Sequence, residues 1–327
     1  MPVSPTHAIV AVTDRCNARC LMCDIWKKGR TDEMAVGDYA RLPSSLREIN
    51  VTGGEPLLRD DLAQVIETMR RQCPQARIVL STNGLLPSRL EDLLSRISGI
   101  AVRVSLDGIG DLHDRIRGTK GAYEKAVCSL QTAKEAGIRD LGVCATMTGS
   151  NAGLVKDIQE FARSRGIQFT FTVVHSSPVF FGDQSAELPD PGVAAADMDT
   201  IRTRLFASAN PKDWFKAYYV SGLIDVVTDR PRPIECRAGT DFFYLDPQGN
   251  VYPCHLWEKS MGNILQKSYE AITAESEGVL RSVGKCGKRC WMTCTVAPEM
   301  RRKLAYYAVR VGWAKLLHHL RPVFGAR

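Results

Sequence analysis

Short apolar runs alternate with amphipathic stretches from residue 7 to about residue 174. Six of the apolar runs have the length and composition of β-strands, at 7–13, 48–52, 77–81, 102–106, 141–147 and 168–174. The stretches between them predict amphipathic helices over 60–71, 87–97, 122–136 and 154–165. Gly137 and Gly166 stand where two of these helices end, a position that favours glycine. The pattern predicts an α/β protein whose parallel strands close, through right-handed crossovers, into a partial (βα)6 barrel.

The pattern divides the chain into four predicted regions. Residues 1–175 form the predicted barrel core, and the proline-rich stretch 176–235 reads as a connector with short helices. Residues 236–297 form a small unit that carries five cysteines, and 298–327 form a basic tail with a helix near 298–321. Because sites in such barrels lie at the carboxyl ends of the strands, we expect the chemistry in the loops that follow them.

Composition and charge exclude several classes of protein. Hydrophobic residues make up 44% of the 327 residues and charged residues 24%, as in ordinary globular proteins. The net charge of +7 is concentrated in residues 298–327, which hold seven basic residues and one acidic residue. This local charge favours an anionic surface partner over nucleic acid. No apolar run is long enough to span a membrane, and no signal-peptide pattern opens the chain, so we expect a cytoplasmic protein.

Cysteines are unusually frequent and clustered. The chain has eleven of them, and eight fall into two groups with short spacings. The first group is Cys16, Cys20 and Cys23, and the second is Cys236, Cys254, Cys286, Cys290 and Cys294. Since the cytosol keeps thiols reduced, such clusters indicate metal binding more than disulfides.

The first group has the spacing Cys-x3-Cys-x2-Cys and follows the first predicted strand directly. Three thiolates can hold three irons of a 4Fe–4S cluster and leave the fourth iron open, whereas a structural cluster takes four cysteines. A structural zinc ion also requires four protein ligands, and His7 on the preceding strand is poorly placed to be the fourth. Spacing alone therefore favours iron–sulfur and leaves zinc as an alternative.

Four further motifs follow the predicted strands. They are Thr52-Gly53-Gly54-Glu55-Pro56, Ser81-Thr82-Asn83-Gly84, Ser105-Leu106-Asp107-Gly108 and His113-Asp114-x-x-Arg117-Gly118. Together with the cysteine loop, over residues 7–174, they resemble the radical S-adenosylmethionine (SAM) superfamily. The resemblance implies a TIM-like partial barrel and a 4Fe–4S cluster whose open iron chelates SAM. One electron then cleaves SAM to methionine and a 5′-deoxyadenosyl radical, which abstracts hydrogen from a substrate carbon.

The resemblance also implies a set of cofactor-binding residues. Met22 is expected at the adenine, Glu55 at the ammonium group of SAM, and Ser105 and Arg117 at its carboxylate or ribose. Glycines at 53 and 54 allow a close backbone approach to a ligand, although alone they equally suit a tight turn. The full implied set is Met22, Gly53, Gly54, Glu55, Pro56, Asn83, Ser105, Asp107 and Arg117.

The second cysteine group surrounds a predicted hairpin. Cys236 and Cys254 flank the turn 246–250, which brings them close enough to share one metal site. This arrangement is similar to the auxiliary-cluster domains called SPASM, or to their shorter twitch form. A full SPASM domain has seven cysteines and two clusters, and only five follow residue 230 here. We therefore expect one auxiliary 4Fe–4S cluster, held by Cys236 and Cys254 with two of Cys286, Cys290 and Cys294; a structural zinc is the alternative.

An auxiliary cluster that accepts an electron favours oxidation, either dehydrogenation or cross-linking of a peptide. We expect dehydrogenation of a small molecule such as a sugar, a cyclitol or a lipid-linked group. An epimerase would instead need a thiol hydrogen donor, for which Cys144 and the spare cysteine of the second group are the candidates. The alternative role for Cys73, Cys128 and Cys144 is that of buried filler in the apolar core. The start of the first strand near residue 7 leaves no room for a leader-binding domain, although a peptide substrate stays open. The resemblance implies an electron donor such as flavodoxin or ferredoxin. From another class, the alternatives are a non-catalytic electron carrier or a zinc-binding module.

The sequence pattern of the predicted tail helix allows two interpretations. One helical stripe carries Tyr306, Val309, Trp313, Leu316, Leu317 and Leu320, flanked by Lys303, Arg310 and Arg321. That pattern is typical of a helix lying on an anionic membrane surface. The opposite side is also apolar, with Leu304, Tyr307 and Val311, which favours packing against the body of the protein.

Overall fold

The computed structural model describes residues 4–29, 32–177, 179–181, 187–231, 234–284, 286 and 290–324, with side chains described up to residue 318. One nine-stranded sheet forms its centre, in the order β6-β5-β4-β3-β2-β1-β7-β8-β9. The strands are β1 (His7–Ala11), β2 (Glu48–Thr52), β3 (Arg77–Thr82), β4 (Ala101–Ser105), β5 (Leu141–Met147), β6 (Gln168–Val173), β7 (Phe242–Leu245), β8 (Asn250–Tyr252) and β9 (Gly262–Asn263).

Eleven α-helices occur in the part of the chain that the structure describes. They are α1 (Leu62–Gln72), α2 (Pro87–Arg96), α3 (Asp111–Arg117), α4 (Ala122–Glu135), α5 (Val155–Ser164), α6 (Pro191–Ala207), α7 (Pro211–Val227), α8 (Tyr269–Glu275), α9 (Glu277–Gly284), α10 (Thr293–Arg302) and α11 (Leu304–Phe324). The predicted α/β class and all six predicted strands are confirmed, with strand ends within two residues of those expected. The domain boundaries at 175, 235 and 297 stay predictions.

The sheet extends further than the sequence pattern indicated. Strands β1 to β6 pair in parallel in chain order, and β7 also pairs in parallel with β1, with Ile9 opposite Tyr244. Strand β7 is buried along its whole length and covers the edge of β1 that would otherwise be free. The cysteine-bearing hairpin is therefore continuous with the barrel sheet, because a fully buried apolar strand needs a partner edge.

The two faces of the barrel strands differ in character. Apolar side chains such as Val51, Leu80 and Val143 point outward and join the core packed under the helices. The residues that alternate with them are only partly buried, as the alternation along β2 and β5 shows. The strands therefore enclose an inner face that is open enough to hold a ligand.

The tail contains a break where one helix was expected over 298–321. Helix α10 ends at Arg302, Lys303 leaves the helical conformation, and α11 begins at Leu304. Among the described residues, no helix has the length and apolarity needed to cross a membrane.

Candidate functional site

The first cysteine group lies in the loop after β1, beside the end of α3. The Arg19 amide donates to the Arg117 carbonyl (3.0 Å), and the Leu21 amide donates to the Ile116 carbonyl (2.9 Å). Gly118 has φ +61°, and a side chain there would overlap the Arg19 carbonyl. A glycine at this position therefore lets the cysteine loop lie directly against α3.

A buried ion pair stands beside these thiols. Arg117 Nη2 lies 2.6 Å from Asp107 Oδ2, and Arg117 Nη1 lies 3.6 Å from Cys20 Sγ. The second Asp107 oxygen accepts the Thr146 amide at 2.7 Å. Burial disfavours the charge on Arg117, but the Asp107 carboxylate together with the neighbouring thiols of Cys20 and Cys16 outweighs burial, and the pKa of Arg117 is raised. The pair thus fixes a positive charge next to the sulfurs.

Glu55 is fully buried and hydrogen-bonded within the protein. Its carboxylate accepts the Leu57 amide (3.1 Å), the Thr82 hydroxyl (2.8 Å) and the Asn83 amide (2.7 Å). Burial raises the pKa of Glu55 to about 7, against these hydrogen bonds, which favour the charged form. Glu55 therefore joins the loops after β2 and β3. Its predicted contact with the ammonium group of SAM stays a prediction.

Gly53 and Gly54 have a structural reason to be glycine. A side chain at Gly53 would overlap the Thr13 carbonyl, and one at Gly54 would overlap the Arg15 carbonyl. The Gly54 amide donates to Thr13 (2.8 Å) and the Glu55 amide donates to Arg15 (2.8 Å). The backbone at Gly53 and Gly54 therefore lies close to the loop after β1, which also carries the first cysteine group.

The other predicted cofactor residues lie around the same loops. Asn83 Nδ2 donates to Asn17 Oδ1 (2.7 Å) and lies 3.9 Å from Cys16 Sγ. Met22 is buried with Ile116 and Val174. Pro56 is buried and opens a short 3-10 turn, and Ser105 is half-buried at the end of β4. The structure therefore places Asn83 beside Cys16 and Met22 within the cysteine loop, and the contacts of all four residues to a cofactor stay predictions.

Cys144 lies on the inner face, in one register row with Ser105 and Thr170. Its sulfur is 3.0 Å from Thr170 Oγ1, and burial raises the pKa of the thiol. Cys73, by contrast, is buried in the core and donates to the Pro43 carbonyl (3.3 Å). Cys128 is exposed, so the expectation that it is buried filler is wrong: it falls on the outer side of α4.

Several polar residues of the inner face were missed from the sequence. Asn50 accepts the Ser81 hydroxyl at 2.8 Å across β2 and β3. Thr146 and Thr172 are opposite each other on β5 and β6. Along β5 and β6 the threonines alternate with buried apolar residues. This alternation of polar and apolar positions could have predicted from the sequence that they face the inside of the barrel. Together they give the inner face uncharged hydroxyl and amide groups.

The second cysteine group lies beside β7. Cys236, Cys254 and Cys294 pack around one apolar cluster that includes Ala238 and Phe242. Burial raises the pKa of Cys254 to about 12, and the neighbouring thiols of Cys290, Cys236 and Cys286 add to this effect. The pKa of Cys294 is also raised by burial, with Cys254, Cys290 and Cys236 as its charged neighbours.

The donor sets fit clusters of several irons. Within the described ranges, no three His, Cys, Asp or Glu side chains are arranged to hold a single metal ion. The thiols nevertheless lie near one another in two groups, one of three and one of five. Ligands of a cluster bind different irons and can stand further apart than ligands of one ion. Two groups of thiolate donors, one of them limited to three cysteines, fit iron–sulfur clusters.

A cavity of about 210 Å³ lies between the inner face of strands β1 and β2 and the second cysteine region. Ile9, Asn50 and Thr52 border it from the inner face of the barrel, and His255 and Cys294 border it from the second cysteine region. A molecule bound in this cavity would contact both the inner face of the barrel and the second cysteine region.

Comparison with known proteins decides the family. The model of the radical SAM superfamily matches residues 10–164, and the model of the SPASM iron–sulfur cluster-binding domain matches residues 236–295. The chain belongs to the radical SAM superfamily. It is a radical SAM enzyme that uses a 4Fe–4S cluster with SAM and carries an auxiliary iron–sulfur cluster.

Individual relatives have different activities. GTP 3′,8-cyclase of Aliarcobacter butzleri is 26% identical over 267 residues, which cover 77% of this chain and 80% of that protein. Pre-heme d1 synthase of Dinoroseobacter shibae is 25% identical over 316 residues, covering 84% and 77%. The structure of native anSMEcpe with bound AdoMet and Cp18Cys peptide superposes with a TM-score of 0.63 at 14% identity, covering 86% and 84%. This likeness shows the fold shared with radical SAM/SPASM enzymes.

Proposed function

We propose that this radical SAM enzyme oxidises a hydroxyl-bearing small molecule to a carbonyl compound. The substrate carbon gives up one hydrogen atom, and the resulting substrate radical gives up one electron and its hydroxyl proton. When bound, the cluster with SAM supplies the 5′-deoxyadenosyl radical that takes the hydrogen atom, and the auxiliary cluster supplies the electron acceptor. An external carrier such as flavodoxin or ferredoxin is the proposed source of the electron that cleaves SAM.

The proposal assigns the two cysteine groups to the two clusters. Cys16, Cys20 and Cys23 hold the cluster that binds SAM, and the ion pair of Asp107 with Arg117 keeps a positive charge beside Cys20. The residues assigned to SAM are those of the surrounding loops: Met22, Gly53, Gly54, Glu55, Pro56, Asn83 and Ser105. The auxiliary cluster is assigned to Cys236, Cys254, Cys290 and Cys294. Cys236, Cys254 and Cys294 pack around one apolar cluster, and Cys290 is an electrostatic neighbour of both Cys254 and Cys294, whereas Cys286 is a neighbour of Cys254. Cys286 is then the spare cysteine.

The observation that carries the proposal is the shared cavity. Cys294, an assigned ligand of the auxiliary cluster, borders the same 210 Å³ space as Asn50 and Thr52 of the barrel. A substrate placed there would contact the barrel strands β1 and β2 on one side and this assigned ligand of the electron acceptor on the other. Electron loss from its radical would then need no further carrier, which favours oxidation.

The inner face suggests the class of substrate. Asn50 and Thr52 of the cavity offer uncharged donors and acceptors, which suit hydroxyl groups of a sugar or cyclitol, and Thr146, Thr170 and Thr172 continue this character along the inner face. His7 and Glu48, which also border the cavity, are paired with Arg301. Arg103, the charged residue of β4, is already paired with Asp140 at 2.6 Å. The alternative substrate is a peptide, since the similar anSMEcpe structure contains one.

The experiment is an anaerobic assay of the reconstituted full chain with dithionite, SAM and a panel of sugars, cyclitols and a model peptide. The expected result is 5′-deoxyadenosine together with a product that has lost two hydrogen atoms, detected by mass spectrometry. A product of unchanged mass that has taken up deuterium from heavy water would contradict oxidation. The same result would support the second candidate, epimerisation.

Epimerisation is favoured by one observation, the position of the Cys144 thiol on the inner face, 3.0 Å from Thr170 Oγ1. A thiol there could return a hydrogen atom to a substrate radical, and its proton exchanges with solvent. Cys144→Ala separates the two functions. It should abolish turnover of an epimerase and leave oxidation within a few-fold of wild type.

We also propose that α11 contacts an anionic membrane surface, consistent with a cytoplasmic location. Tyr307 and Val311 are buried, and the Tyr307 ring packs against Tyr218 of α7 (centroids 5.8 Å apart). The opposite face exposes Tyr306, Val309, Trp313, Leu316 and Leu317, each by about half. Arg310 flanks this stripe, and Arg302 and Lys303 precede it. An aromatic and aliphatic stripe with basic neighbours suits anionic lipid.

Vesicle flotation tests this contact. The full chain should float with vesicles that contain phosphatidylglycerol and much less with pure phosphatidylcholine. Trp313→Glu with Leu317→Glu should abolish flotation, because both side chains are exposed and their loss spares the packed face. Self-association of the wild type that this double variant abolishes, without any flotation, would instead assign the stripe to a second copy of the chain.

A further inference from the structure

Trp291 separates two assigned ligands of the auxiliary cluster, Cys290 and Cys294. It is among the largest fully buried side chains described, with 1% of its surface exposed. Its indole Nε1 donates to the Tyr219 carbonyl of α7 at 2.7 Å. The segment that carries the two cysteines is thus fixed to α7 through this side chain.

Tyr219 makes a second connection, toward the barrel. Its hydroxyl lies 3.3 Å from the Trp291 carbonyl and 3.2 Å from the Phe171 carbonyl of β6, and it can donate to either. The Tyr219 and Trp291 rings stack with centroids 6.4 Å apart. One side chain of α7 therefore links the cysteine segment to the last barrel strand.

Gly222, one helical turn after Tyr219, makes room for the indole. A side chain at this position would lie 2.6 Å from Trp291 Nε1 and closer still to the ring carbons. Gly222 sits inside a helix, where glycine costs about 1 kcal/mol relative to alanine. The contact with Trp291 gives a reason for that cost.

The far end of the cysteine-bearing helix is also fixed. Arg301 of α10 lies 2.8 Å from His7 Nε2 and 3.2 Å from Glu48 Oε2, on β1 and β2. With Trp291 held at one end and Arg301 at the other, α10 keeps Cys294 at a set place beside the cavity.

We propose that Tyr219 and Gly222 are positioning residues for the auxiliary cluster: they seat Trp291 so that Cys290 and Cys294 can hold the cluster next to the barrel. The inference rests on the ligand set assigned under the proposed function. It does not depend on the identity of the substrate or on the direction of the reaction.

The test substitutes Gly222→Ala in the full chain and measures iron content, the electron paramagnetic resonance signals of both clusters, and SAM cleavage. The added methyl group displaces Trp291, so bound iron should fall from about eight to about four atoms per chain. The auxiliary signal should disappear, while 5′-deoxyadenosine formation stays within a few-fold of wild type. Gly312→Ala is the matched control, because a side chain there meets no atom within 4 Å.

Two further variants distinguish positioning from general stability. Gly222→Ala with Trp291→Phe should recover part of the auxiliary iron relative to Gly222→Ala alone, since the smaller ring leaves room for the methyl group and keeps the stack against Tyr219. The recovery should be incomplete, because phenylalanine lacks the indole N–H that donates to the Tyr219 carbonyl. Tyr219→Phe should keep both clusters and shift the reduction potential of the auxiliary cluster alone. Full auxiliary iron with an unchanged signal in Gly222→Ala would overturn the inference, as would equal loss of both clusters that the double variant does not repair.

The ligand set has its own check. If Cys290→Ala and Cys294→Ala both keep the auxiliary signal, the assigned ligands are wrong. If they lose it while Gly222→Ala keeps it, the ligands stand and the positioning role fails.

Discussion

The two cysteine regions are held in place by different forces. The loop after β1 is fixed by polar contacts: the buried Asp107–Arg117 pair lies beside Cys20, and the Gly54 and Glu55 amides donate to the Thr13 and Arg15 carbonyls. The second region is fixed mainly by packing: β7 covers the edge of β1, and Trp291 sits against α7. Polar contacts need particular residue types at particular places, whereas packing needs only complementary shape. This difference explains why motifs mark the first region clearly and the second region poorly.

Removing one thiol from the second region should give the largest and most selective effect. Cys254 is the electrostatic neighbour of the other assigned auxiliary ligands. Cys254→Ala should therefore lose about four iron atoms per chain and keep SAM cleavage, because the first region does not depend on it. Iron analysis and 5′-deoxyadenosine assays on the reconstituted protein check this. Cys128→Ala, at an exposed cysteine, is the control and should change neither.

Breaking the buried ion pair should destabilise the first region strongly. Arg117→Met leaves the Asp107 carboxylate buried without its charge partner, which costs about 3–5 kcal/mol in the free energy of unfolding. Denaturant titration measures this loss. The double variant Arg117→Met with Asp107→Leu should recover much of the lost unfolding free energy, because it leaves no uncompensated buried charge. Arg163→Met, at a solvent-exposed pair with Glu160, should leave the unfolding free energy unchanged. An equally small effect of Arg117→Met would refute the polar account.

A smaller, pH-dependent effect is expected from Glu55. Its pKa is raised to about 7 by burial, above the ordinary value of 4.5, so the folded protein holds this proton where the unfolded chain has released it. The stabilising effect of that proton is complete below pH 4.5 and is lost as the pH rises through 7. Between pH 5.5 and 7, wild type should lose up to about 1.4 kcal/mol per pH unit relative to Glu55→Gln. Parallel stability curves for the two proteins would contradict the raised pKa.

Much of the barrel could be predicted from the sequence. The predicted strands at 48–52 and 141–147 coincide with β2 and β5, because apolar residues recur at every second position in both, as in a strand with one face in the core. The pairing of β7 with β1 could not be predicted, since the two strands are more than 200 residues apart and no local pattern records such a contact.

The site was predictable to a similar degree. The spacing of Cys16, Cys20 and Cys23 placed them in one loop correctly, because a loop of eight residues cannot separate them far. The internal hydrogen bonds of Glu55 were not predictable, because they join loops after different strands. The role of Gly222 could not be predicted either, because the residue that requires a glycine there, Trp291, lies 69 positions later in the sequence.

The most direct test of the central claim compares wild type with Cys20→Ala after anaerobic reconstitution with iron and sulfide. Each protein receives dithionite and SAM, and 5′-deoxyadenosine is quantified by liquid chromatography. Wild type should form it, and Cys20→Ala should lose at least a hundred-fold of that activity while keeping the auxiliary signal. Equal 5′-deoxyadenosine from the two proteins would contradict the assignment of these thiols to the SAM-binding cluster.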